Sequence, residues 1–123
     1  MNEQLKVIAK IAEVGKAVGG VPASGTNAHF NYAFQPWEEV RRAVKAACLE
    51  VGLWVTESMT ECRVAGNKTT VQLEITYHAD GESLTTTWYG EANDSQDKGG
   101  QKAATSALKY AWLKTFMLTD EDA

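Results

Sequence analysis

From Thr69 to Tyr77 the chain alternates without a break. Val71, Leu73, Ile75 and Tyr77 fall on one side of an extended strand, and Thr70, Gln72, Glu74 and Thr76 on the other. One side of such a strand needs a cover and the other is satisfied by water, which makes it part of a half-buried antiparallel sheet. Turn signals bound it on both sides. Ala65-Gly-Asn-Lys68 precedes it and Ala79-Asp-Gly-Glu82 follows, with Asp-Gly a strong hairpin signal. Residues 53–65 alternate well enough for a strand before the first turn, and Ser83–Tyr89 supplies one after the second. The expected unit is a three-stranded meander.

Helical spacing brackets this unit. Over residues 3–18, Leu5, Ile8, Ala12 and Gly15 share a face expected to be buried, with Lys6, Lys10 and Glu13 away from it. Gly19-Gly20 ends that helix, residues 19–29 read as a loop, and Phe30–Phe34 as a short extended segment. Pro36 suits the first position of a second helix, where Glu38 and Glu39 favour the helix dipole. Val40, Ala43, Val44, Ala47 and Val51 form its buried stripe, and Gly52 caps it. A loop from Gly90 onward leads to a last helix near Lys98. The order α-α-β-β-β-α, with an antiparallel sheet covered by helices on one face, is an α+β fold. A single domain over residues 1–123 is expected, comprising an N-terminal helix and loop (1–27), a core (28–119) and an acidic tail (120–123).

The chain has 44% hydrophobic and 23% charged residues, the balance of a folded domain rather than a disordered one. No apolar run approaches the roughly 20 residues of a membrane helix, and no signal-peptide core opens the chain. Cys48 and Cys62 lack metal-ligand spacing and read as reduced thiols at structural positions, which points to the cytoplasm. The net charge of −4 argues, taken alone, against a nucleic-acid partner. Setting aside Asp120, Glu121 and Asp122 leaves twelve cations against thirteen acids, so the placement of the cations decides.

They are placed unevenly. From Lys98 to Thr119 every charge is positive. At about 100° per residue, Lys98, Lys102 and Lys109 fall within about 40° of one another, and Thr105 and Trp112 continue the line. Ala104, Ala107, Leu108, Ala111 and Leu118 gather on the opposite side, while Lys114 lies off the stripe. Spaced cations beside a hydroxyl and an aromatic ring suit a phosphate backbone with bases to stack. Further candidate contacts are Arg41, Arg42 and Lys45 on the second helix, and Arg63 and Lys68 at the first hairpin. Tyr32 and Trp112 are the rings expected to meet bases, whereas most of the others, Trp54, Trp88 and Tyr89 among them, are expected in the core. Catalysis finds little footing. His29 and His78 have no third ligand at metal spacing, and no Ser or Cys sits in a nucleophile's context. Asp94 and Asp97 read as caps of the last helix or as contacts to a neighbouring subunit, and Gly99-Gly100 lacks a phosphate-loop pattern. No cofactor is expected.

The run Gly90-Glu-Ala-x-Asp-x-x-Asp-Lys98, then Lys102-Ala-x-x-Ser-Ala-x-Lys-Tyr-Ala-x-Leu-x-x-Phe116 and an acidic end, resembles the ERF (essential recombination function) family of phage single-strand annealing proteins. Phe30-Asn-Tyr32, Val51-Gly-Leu-Trp54 and Asp80-Gly-Glu82 extend the likeness to residues 28–122. The resemblance implies a β-β-β-α core and assembly into rings or filaments. It also implies single-stranded DNA held along a basic groove and annealing of complementary strands without ATP. Implied partners are single-stranded DNA, further copies of the chain, and a host or phage single-strand-binding protein or exonuclease, in the host cytoplasm and away from membranes. Two rival readings remain. One is a double-stranded RNA-binding module of α-β-β-β-α type, with lysines opening its last helix. The other is a structural oligomerisation domain.

Overall fold

In the computed structural model, residues 4–19, 25–27, 32–34, 37–94 and 98–118 are described. The elements are α1 (Leu5–Gly19), β1 (Gly25–Asn27), β2 (Tyr32–Phe34), α2 (Trp37–Val51), β3 (Trp54–Ala65), β4 (Lys68–Ala79), β5 (Glu82–Asn93) and α3 (Gly99–Thr115). The meander forms as expected, antiparallel in the order β3-β4-β5. In β4 the inward row Val71, Leu73, Ile75, Tyr77 and Ala79 is buried, and its polar row faces an uncovered side. A bulge between Met59 and Glu61 interrupts the β3–β4 register.

The short β1–β2 ribbon replaces part of the loop expected over 19–29, and Pro36 lies outside the described residues. A second correction concerns α1. Its buried stripe is Val7, Ile11, Val14 and Val18, while Leu5 and Ile8 are exposed. Two apolar stripes compete on this helix. The β-branched one runs through all its turns at i, i+4, i+7 and i+11, and that continuity wins the packing against α2. The Glu82 carboxylate, at the start of β5, accepts from the Lys6 and Val7 amides at 2.9 and 3.2 Å. An acid from the sheet thus satisfies two orphan donors at the positive end of α1. Helix α2 buries Val40, Val44, Ala47 and Cys48, with Ala43 and Val51 half-buried. Gly52 ends it at φ +80°, and the Leu53 amide returns to the Cys48 carbonyl at 2.9 Å.

The third correction is at Gly90–Asn93, which continues β5 instead of opening a loop. Helix α3 crosses β4 and β5 at this level, so close that a Cβ on Gly90 would collide with the Ala103 carbonyl and lie 2.8 Å from the Ala107 amide. A turn glycine and a close-packing glycine look alike in sequence. Gly90→Ala should therefore cost about 1–3 kcal/mol of unfolding free energy by overpacking. Gly19→Ala, at an open helix end with nothing within 4 Å, should change it little. Urea denaturation of both variants checks this, and equal midpoints would contradict it.

Candidate nucleic-acid interface

Small residues hold α3 on the sheet, and its outward face follows from them. Ala103, Ala107 and Ala111 are buried toward the sheet, which turns Lys98, Gln101, Lys102 and Thr105 to solvent over the first two turns. Lys109 continues the line half-buried, its ammonium 5.8 Å from the Tyr110 ring centroid. The helix opens at Lys98 with no side-chain cap, so the positive end of its dipole adds to the lysines.

Two neighbours modify that track. Lys102 pairs at 2.8 Å with Asp94, whose side chain is only 6% exposed. Asp94 is tied by its amide to the Asn67 carbonyl at 2.7 Å, so the acid expected to cap α3 instead anchors the central lysine. Asp97 lies outside the described residues. The Thr105 hydroxyl donates to the Gln101 carbonyl at 3.0 Å, so its proton is committed to the backbone.

Trp112 requires a correction. It was expected beside the lysines, but its ring is 2% exposed and lies 6.2 Å from both Trp37 and Phe116, so no base can stack on it. The helical wheel placed it outward; Trp37 on α2 covers that direction along the last turns of α3. Phe116 also meets Tyr77 edge-on at 6.0 Å, closing an aromatic core beneath the helix end.

The remaining candidates divide by face. Arg41 is 3.9 Å from Glu38 on α2, and Arg42 and Lys45 are exposed. Arg63 and Lys68 stand in the same row as Thr70 and Gln72, on the uncovered side of the sheet, away from α3. Each has a carboxylate partner there, Arg63 with Glu61 and Lys68 with Glu91 at 3.3 Å. With Glu74 in the same row, that side carries more acid than base among the described residues and offers phosphate little. Tyr32 opens β2, and its side chain lies outside the described residues. Two rings expected mostly in the core are instead open, Trp54 at 61% and Tyr89 at 66%. Both belong to the polar row of their strands, a signal the alternation carried.

The turn between β3 and β4 contains only Gly66 and Asn67, since Ala65 already pairs with Lys68. No long loop projects there, so the hairpin contact of the rival RNA-binding reading is short. Among the described residues no metal-holding cluster occurs, and no helix is long and apolar enough to cross a membrane.

A three-stranded antiparallel meander backed by helices in the order α-α-β-β-β-α belongs to the class of α+β domains. The family model of the ERF superfamily matches residues 7–123, and the chain belongs to that superfamily. Its members serve phage-type recombination and annealing, generally without catalysis. No curated protein and no solved structure matches the chain.

The two thiols, expected alike, differ. Cys62 is exposed, while burial pushes the Cys48 thiol up to about 11. At pH 8 a thiol of that pKa is ionised only to about one part in a thousand. An aromatic disulfide reagent should therefore titrate one thiol rapidly and the second only after denaturation. Two fast thiols would contradict the burial of Cys48.

Proposed function

We propose that this chain binds single-stranded DNA along the outward face of α3 and anneals complementary strands without ATP. The observation that supports it best is the exposed row Lys98, Gln101 and Lys102, continued by Lys109, on a helix with no acid of its own. Lysines hold phosphates as point charges and read no sequence, so bases stay free to search for complements. Lys102 uses one donor on Asp94 and keeps two for a strand. The same acid weakens the local field, which makes binding by one subunit weak and leaves affinity to multivalency.

Multivalency requires assembly, and the sheet offers a means. Both outer strands, β3 and β5, are twelve residues long and lack a strand partner on their far edges among the described residues. Helix α3 covers β4 and β5, so Met59 and Val64 of β3 remain exposed at 45% and 69%. The β3 edge of one copy meets the β5 edge of the next in this reading. Such a head-to-tail contact closes into a ring or continues as a filament.

Labelled single strands should bind with log affinity falling linearly in log salt. Lys98→Ala should make that slope shallower by about 0.7 and Asp94→Asn should make it no shallower, with annealing slowed in the first alone. Unchanged slope and annealing in Lys98→Ala would refute the track. Separately, Val64→Lys should shift the sedimentation profile toward monomer; an unaltered profile would remove β3 from the assembly contact.

A further inference from the structure

A cavity of about 350 Å³ opens on the helix side of the sheet, at the start of β3. Lys45 and Leu49 of α2 line one wall and Trp112 of α3 another. Val55 and Glu57, opposite Tyr77 and Ile75 in the inward row, form the floor. Trp54 stands in the outward row opposite His78, so its ring lies on the other face of the sheet. The Leu53 amide is bonded to the Cys48 carbonyl at 2.9 Å, which fixes the end of α2 against the strand. The rim is bare. Leu49 is 68% exposed, and Glu57 has no cation at ion-pair distance among the described residues.

Helix α1 carries the matching surface. Leu5 and Ile8, beside its buried stripe, are 57% and 44% exposed. Its first turn holds no acid, and Lys6 is exposed with no carboxylate at ion-pair distance among the described residues. The bonds from the Lys6 and Val7 amides to Glu82 tie this turn to the first residue of β5. In its own fold the turn is therefore anchored two strands away from β3.

We propose that α1 of one copy seats Leu5 and Ile8 in the β3 cavity of the next copy, with Lys6 beside Glu57. The inference rests on the β3-to-β5 assembly reading, and strand direction and level carry it. Both β3 and β5 run antiparallel to β4, so they point the same way. Trp54 and Ser83 both pair with His78, so the two strands start at one level. A neighbour's β5 laid along the β3 edge without stagger brings its first residue beside the cavity. The helices of both copies then share one side of a continuous sheet, and Glu82 brings α1 with it. Apolar side chains meet an apolar rim, and an unpaired acid meets the positive end of a helix. Lys45 stays exposed at the rim and keeps its ammonium in water. Neither half of this contact is covered within one chain.

Disulfide trapping in the whole chain tests this, on a Cys62→Ser background that removes the exposed native thiol. With Leu5→Cys and Leu49→Cys together, oxidation should give a ladder of linked chains on a denaturing gel without reductant. Each of the two alone should give no ladder. Both positions are exposed, so the fold should survive, and an unchanged thermal midpoint checks that. Leu5→Asp should also shift the sedimentation profile toward monomer. Absence of the ladder, or a disulfide closed within one chain, overturns the proposal. Dimers from Leu5→Cys alone would set α1 against α1 and overturn it too. If Val64→Lys dissociates the assembly and Leu5→Asp does not, the α1 contact falls and the β3-to-β5 reading stands. If neither changes the profile, both fall.

Discussion

The close approach of α3 to β5 at Gly90 governs the arrangement of everything else. A helix can lie this near a sheet only where side chains are absent, and Gly90, Ala103 and Ala107 provide that. Contact through small residues orients the helix about its axis as well as drawing it inward. With the alanines down, Lys98 and Lys102 must point out. The same placement centres α3 on β4 and β5, which leaves Met59, Cys62 and Val64 of β3 exposed. The lysine face and the bare margin of β3 are two consequences of one packing decision.

Electrostatics then separates the faces of an acidic chain. On the uncovered side of the sheet, Arg63 and Lys68 are matched by Glu61 and Glu91 across or along the strands, so that side holds its charges in pairs. Helix α3 has no acid between Gly99 and Thr115, and the compensation it receives comes from Asp94 in the preceding segment. The net charge of −4 therefore describes neither surface. A phosphate backbone meets local potential, and α3 carries lysines and no acid of its own.

Much of this was legible in the sequence because period-2 and period-3.6 patterns translate directly into burial. The inward row of β4 and the stripe of α2 appear where alternation and spacing put them. What misled was information that local spacing does not hold. On α1 two stripes were available, and only the partner helix chooses between them. Trp112 stands in line with the lysines on a wheel, yet Trp37, seventy-five positions earlier, covers it. Gly90 was readable as a turn until a helix lay across it. Asp94 looked like a cap because caps are local, whereas its carboxylate holds the side chain of Lys102, inside the helix. The exposure of Trp54 was the reverse case. Its place in the polar row of β3 pointed to solvent, against the ordinary expectation for tryptophan.

The β3 strand is also long enough to leave part of itself uncovered in an assembly. Trp54 stands at its α2 end and Val64 beside the hairpin, separated by ten residues or roughly 33 Å of extended chain. A neighbouring copy seated on Met59 and Val64 would leave the outward face at the Trp54 end of the strand uncovered. Each added copy would then bring one lysine row to a shared strand. Repetition of weak, sequence-blind contacts gives an annealing surface its two requirements, firm hold on the strand as a whole and easy release at any single nucleotide. A single tight site would satisfy the first and defeat the second.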